Sequence, residues 1–174
     1  MTRWILPFIV FAATAAGAWH ATLAVTTFGL MDGAVRRLSA QAGLNTMFYG
    51  RLATPANQPI VRPSPDLAYS SCSYDLSAGP LLINVVPIAG RYSSLSVFDA
   101  RTDVVFVRND VQAGGKPFSI AIAREGQKVP DGIETVRVGY DRGVALVRLL
   151  LADPKEIAQL EPLRRQSNCA TIRG

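Results

Sequence analysis

The first feature of the chain is a run without interruption: residues 4–30, WILPFIVFAATAAGAWHATLAVTTFGL, contain no Asp, Glu, Lys or Arg. About twenty apolar residues suffice for a helix to cross the hydrocarbon core of a bilayer, so the run predicts a transmembrane helix with margin for tilt. Beyond it, apolar residues at Met31, Ala34, Val35 and Leu38, with Gly43 as a stop, predict a short amphipathic helix, either separate or continuing the first. Residues 45–50 (NTMFYG) read as a turn. Pro55, Pro59, Pro63 and Pro65 then make residues 51–66 an extended connector, because proline fixes φ and removes a backbone donor.

From residue 67 the period changes. Segments 69–76, 81–86, 92–99, 104–108, 118–123, 133–139 and 144–151 are short apolar or alternating runs. They are separated by turn residues such as Ser77-Ala78-Gly79-Pro80, Ala113-Gly114-Gly115 and Pro130-Asp131-Gly132. This spacing predicts an antiparallel β-sandwich or barrel. Residues 153–166 break the pattern. Asp153 suits an N-cap, Pro154 the first helical position and Glu156 the third, with Ile157, Leu160 and Leu163 or Arg164 at helical spacing. The prediction is a C-terminal helix, interrupted or kinked at Pro162. The expected architecture is therefore mainly β: an antiparallel sandwich with an N-terminal transmembrane helix and a short C-terminal helix. Its parts are a membrane segment at 1–30, a helix and turn at 31–50, the connector at 51–66 and the domain at 67–174.

Two readings of the N-terminal run stand side by side. Ala16-Gly17-Ala18 is an A-x-A-like cleavage site, as in a secretory signal. The apolar stretch nevertheless continues to Phe28, longer than a cleaved signal needs, which favours an uncleaved anchor. Both readings export the rest of the chain. Arg3 and the amino terminus favour a cytoplasmic N-terminus, although Arg36 and Arg37 beyond the run weaken the charge bias. The expected location is the inner membrane, single-pass, with the domain in the periplasm. His20, beside Trp19, reads as a neutral side chain near the outer interface.

Composition narrows the chemistry. The net charge of +5 comes from 18 Lys+Arg against 13 Asp+Glu. The arginines are scattered and not interleaved with aromatic residues, which argues against nucleic-acid binding. With two cysteines and His20 as the single histidine, neither a zinc site nor a histidine-dependent triad has its parts in the exported domain. No metal and no cofactor are expected, and the balance leans away from an enzyme. Cys72 and Cys169, in an exported chain, suggest one disulfide, with two free or buried thiols as the alternative. Gly114-Gly115-Lys116 lacks the spacing of a phosphate loop.

Three segments carry a resemblance. VRPSPDLAYSSCSYDLSAGPLLINVV combines a proline-rich lead-in, an Asp-x-x-Tyr element and a D-L-S-x-G-P turn. GRYSSLSVFDARTDVVFVRND comes next, and LLLADPKEIAQLEPLRR ends in a D-P helix. Together they resemble the domain-of-unknown-function 1254 family. The resemblance implies a β-sandwich, and in longer relatives a second β domain, the domain-of-unknown-function 1214, fused to it. That second domain is not found in this sequence, which suggests a separately encoded partner. The family offers no catalytic residues to carry over.

Two polar sets remain. Arg62, Asp66 and Tyr69 flank the first strand; Arg91, Asp99, Arg101, Asp103, Asn109 and Asp110 surround the next two. Carboxylates buried together can do acid–base work, but Asp at strand ends ordinarily caps turns. Asp66, Tyr69, Arg91 and Asp99 are the residues expected to line a pocket, its small-molecule ligand unknown. Phe98, Phe106 and Tyr140 are expected to supply an exposed patch for a partner.

Overall fold

The computed structural model describes residues 2–54 and 63–173. A single helix, α1 (Ile5–Ala42), follows one 3-10 turn. At 1.5 Å per residue its 38 residues extend about 57 Å. It is long and apolar enough to cross a membrane, and its most apolar window is not buried against the rest of the described residues. The amphipathic stretch after Leu30 is thus a continuation of the same helix. Nothing between residues 30 and 42 breaks it, and Asp32 and Arg36 pair one turn apart at 2.6 Å.

The strands are β1 (Thr46–Tyr49), β2 (Leu67–Asp75), β3 (Leu81–Val85), β4 (Ser93–Phe98), β5 (Val104–Asn109), β6 (Phe118–Arg124), β7 (Glu134–Val138), β8 (Arg142–Leu150) and β9 (Asn168–Thr171). Helix α2 (Ile157–Arg164) lies between β8 and β9. Among the described residues the strands form two sheets, ordered β1-β2-β8-β4-β5 and β7-β6-β3-β9. One core draws on both. Cys72, Tyr74, Leu95, Val97 and Val147 come from the first sheet, and Leu81, Ile83, Ile120, Ile122 and Cys169 from the second. Each large aliphatic side chain buried there contributes about 1.5–3 kcal/mol. A disulfide joins Cys72 of β2 to Cys169 of β9, across the two sheets.

The structure departs from the sequence reading in three places. Residues 46–49 are a strand and not a turn: Met47 points into the core, and all four residues pair with β2. The tail beyond α2 forms β9, which pairs with β3. Finally, β6 and β7 run parallel, although the other pairings are antiparallel. The loop 125–133 carries the chain back to the start of β6, so Glu134 stands beside Ile120. Arg137 closes that loop by donating to the carbonyls of Arg124 (2.7 Å) and Gln127 (2.9 Å).

The C-terminal third of α1 lies on the outer face of the five-stranded sheet. Met31 and Val35 are buried against Val144, with Ala34, Leu38 and Phe98 around them. Phe28 meets Tyr140 edge-on at 5.1 Å. The helix therefore enters the domain without a linker.

Candidate functional site

The four residues expected to share a pocket do not converge. In the register, Leu67 of β2 and Ser93 of β4 align with Leu150 and Leu149 at one end of β8, whereas Phe98 aligns with Val144 at the other. Asp66, Tyr69 and Arg91 belong to the first end and Asp99 to the second, about 17 Å away along β4. Asp99 caps the β4–β5 turn. Its Oδ1 accepts from the backbone N–H of Arg101 (2.8 Å) and Asp103 (3.1 Å), and the residue is 7% exposed. Arg91 donates to Glu156 Oε1 at 2.7 Å and so ties the β3–β4 loop to the start of α2. Asp66 is exposed, and its carbonyl accepts from Leu151 N–H (2.9 Å). The Tyr69 hydroxyl accepts from Ser64 N–H at 3.0 Å. Arg62 lies outside the described residues, as do Pro55 and Pro59.

None of the three aromatic residues expected to be exposed is free. Phe98 is under α1, Phe106 packs on the core beneath the Arg108 guanidinium (5.2 Å), and Tyr140 holds Phe28. The exposed large apolar side chains outside α1 include Leu44, Val104 and Leu163 and, as a set of four, Leu150 (42%), Tyr92 (45%), Val107 (54%) and Val111 (78%). Leu150 N–H donates to the Tyr92 carbonyl (2.9 Å) and Val107 stands on β5 at the sheet edge, which places these four around the β8–β4–β5 side of the first sheet.

What does converge lies around β1. Arg164, the last residue of α2, is 6% exposed and fully partnered. It pairs with Glu161 and donates to the carbonyls of Gly50 and Tyr69, both at 3.1 Å. Arg165 stacks on the Tyr49 ring at 4.7 Å, and the Tyr49 hydroxyl donates to the Ser167 carbonyl at 2.7 Å. Burial pushes the Tyr49 phenol up, against the opposing pull of Arg165 and Arg164. A buried, partnered arginine pins α2 to the sheet and has no vacancy for a substrate. On the other side of β1, a cavity of about 210 Å³ lies beneath α1, lined by Met31, Leu38, Phe48, Val144 and Leu146, and reaching Tyr69. It shares Leu38, Phe48, Gly50 and Arg51 with a wider groove of about 930 Å³ that includes Arg37. Among the described residues no three His, Cys, Asp or Glu side chains gather as a metal site would require.

A second convergence explains the D-L-S-x-G-P turn. Asp75 Oδ1 accepts from Ser77 N–H (2.9 Å), and Arg142 Nε donates to Oδ2 (2.8 Å). Gly79 has φ +134°, and a Cβ there would press on the Ile172 carbonyl at 2.9 Å, so only glycine fits. Asn45, in a left-handed conformation, accepts from Asp75 N–H (2.8 Å) and donates to the Asp75 carbonyl and to Thr171 Oγ1 (both 2.9 Å). One asparagine thus ties the exit of α1 to the motif and to β9.

Partial burial raises the Asp75 carboxyl, but the Ser77 hydrogen bonds and the Arg142 guanidinium outweigh it and hold the pKa below the ordinary range. A depressed carboxyl stabilises the fold above its unfolded pKa of about 3.9, and that stability is lost as the pH falls through the lower folded value. Asp75→Asn is expected to cost about 1 kcal/mol at neutral pH, the scale of a charge-assisted hydrogen bond made neutral. In urea titrations followed by circular dichroism, the difference should close as the pH falls below the ordinary carboxylate range. A difference that stays constant with pH would show that the charge is not what matters.

A family model described as a protein of unknown function, DUF1254, matches residues 44–171, nearly three-quarters of the chain. Among solved structures, the VPA0106 protein from Vibrio parahaemolyticus is 22% identical with a TM-score of 0.56, over 63% of this chain and 28% of that one. A putative uncharacterized protein from Burkholderia cenocepacia is 16% identical with a TM-score of 0.48, over 79% and 39%. The chain thus spans less than two-fifths of the length of either. No curated protein matches. The matched span begins at the residue before Asn45 and ends with β9, so it takes in both strands that sequence pattern alone did not reveal: the chain belongs to the DUF1254 family.

Proposed function

We propose that this chain is a single-pass, extracytoplasmic β-sandwich module that docks a separately encoded companion β domain, the inner membrane holding α1 and the periplasm the domain. The observation that carries the reading is the exposed apolar set Leu150, Tyr92, Val107 and Val111 on one side of the five-stranded sheet. Exposed apolar side chains grouped on one face mark association surfaces more often than scattered ones do. The size mismatch supports the same reading: in the Vibrio protein the shared region is 28% of the chain, so there the fold is one part of a larger whole. The cross-sheet disulfide fits an oxidising compartment. A second reading, a ligand-binding or enzymatic subunit whose site is completed by the partner, draws on the cavity beneath α1.

An alkaline phosphatase fused after the last residue is expected to be active, and a cytoplasmic reporter at the same place silent; the reverse pattern refutes the topology. Cross-linking in native membranes, read by mass spectrometry, is expected to join residues beside Tyr92 and Val107 to a protein carrying the companion domain. Val107→Asp together with Val111→Asp should abolish those links while leaving thermal unfolding unchanged. Cross-links confined to this chain itself would end the partner reading.

A further inference from the structure

The cavity beneath α1 has features that the docking reading does not use. Its walls are apolar on both sides, Met31, Ala34 and Leu38 from the helix facing Phe48, Val144 and Leu146 from the sheet. An apolar space of this kind gives water few partners, and it is better filled by hydrocarbon. At one end it opens past Gly50 into the groove between the last turns of α1 and β1. The mouth carries two exposed guanidinium groups, Arg37 and Arg51. Neither has a carboxylate partner among the described residues, whereas the neighbouring Arg36 is paired with Asp32.

We propose that cavity and groove together hold one anionic phospholipid of the bilayer, an acyl chain beneath α1 and the phosphate between Arg37 and Arg51. This rests on the membrane-anchor reading of α1. The geometry favours a lipid over other apolar ligands because the roof of the cavity is the membrane helix itself. Arg37 stands seven residues past Leu30, the end of the uncharged run, or about 10 Å along a helix. The headgroup layer on each side of a bilayer is roughly 5–7 Å deep. The mouth therefore opens just above the headgroups, where unpaired arginines attract anionic lipid. The edge-on contact of Phe28 with Tyr140 keeps the domain at that height without a flexible linker.

The test uses the full chain with Trp4→Phe and Trp19→Phe, so that Phe48→Trp places one indole in the cavity wall. The protein is reconstituted in phosphatidylcholine vesicles containing a minority of phosphatidylglycerol. Bromination of the phosphatidylglycerol chains is expected to quench the indole, and bromination of the phosphatidylcholine chains to leave it bright. Arg37→Gln with Arg51→Gln should lower the preference for the anionic lipid about tenfold, one to two charge contacts at a membrane surface. Equal quenching by both lipids overturns the headgroup recognition, and quenching by neither overturns the site. Protein that does not float with the vesicles overturns the anchor reading instead. Should Phe48→Trp fail to fold, phosphorus analysis of the unmodified chain after detergent exchange decides. One anionic phospholipid retained per chain supports the site, and none overturns it.

Discussion

Gly143→Ala is expected to destabilise the domain by about 3 kcal/mol, the upper end of what overpacking a well-filled interior costs. Gly143 lies in β8 opposite Tyr74 of β2, and the Tyr74 ring passes over it to donate to the Phe98 carbonyl on β4 at 2.9 Å. A Cβ at 143 would collide with the Tyr74 hydroxyl and with that carbonyl at once. Neither can withdraw. Tyr74 is fully buried, and the carbonyl belongs to backbone held in the β4–β8 ladder. Burial, and then the nearby Asp99 carboxylate, push the Tyr74 phenol well above its ordinary pKa, so it remains a donor at every pH at which the protein folds. Tyr74→Phe alone should cost about 1–2 kcal/mol through the lost hydrogen bond. In the Gly143→Ala background it should cost less, because removing the hydroxyl relieves part of the clash, and a double-mutant cycle reads that coupling. Unfolding free energies from urea titration in detergent provide the measurement. A Gly143→Ala protein within about 0.5 kcal/mol of the parent, the range of an ordinary surface change, would refute the packing argument.

Position 143 also shows where pattern reading stops. In the sequence, Asp141-Arg142-Gly143 looks like a turn, and a turn is the usual reason for a glycine there. In the fold Gly143 is within β8, and its reason is a tyrosine about seventy positions earlier. Residues whose role is local were legible. The uncharged run became one helix, the seven apolar segments became strands, Asp153 and Glu156 formed their capping box, and Asp99 caps a turn, the structural alternative to a catalytic role. Residues whose role depends on distant partners were not. Met47 and Tyr49 alternate too briefly to announce a strand, yet β2 and Arg165 hold them in one. Arg164 carries the polarity of a surface residue until Gly50 and Tyr69 present their carbonyls. The cavity is likewise invisible in sequence. It exists because a helix assigned to the membrane continues across a sheet, and no stretch of residues encodes that crossing by itself.

Loss of the Cys72–Cys169 disulfide is expected to be the largest single loss of stability available without touching the hydrophobic side chains. The bond spans 97 positions, and fixing so long a loop restricts the unfolded chain by an amount worth about 4–5 kcal/mol on loop entropy alone. The removal of a native bond from a small exported domain ordinarily costs about 2–5 kcal/mol. Where the damage falls is also predictable. β9 is four residues long and pairs only with β3 at the sheet edge. Beyond the disulfide it is held by the Asn45–Thr171 hydrogen bond and by Ile172 N–H donating to Pro80 O at 2.7 Å. In Cys72→Ala with Cys169→Ala, hydrogen exchange should therefore rise first in β9 and in the β3 amides that face it, while the β2–β8–β4 ladder opens only with global unfolding. Both cysteines are buried, so reductant should act on the native protein only as fast as it unfolds. Protein isolated from its native cells without reductant should take up alkylating reagent at both positions only after reduction in denaturant. Alkylation of both thiols without reductant would remove the bond from the native protein, and uniform loss of protection across both sheets would show that β9 is not where it acts.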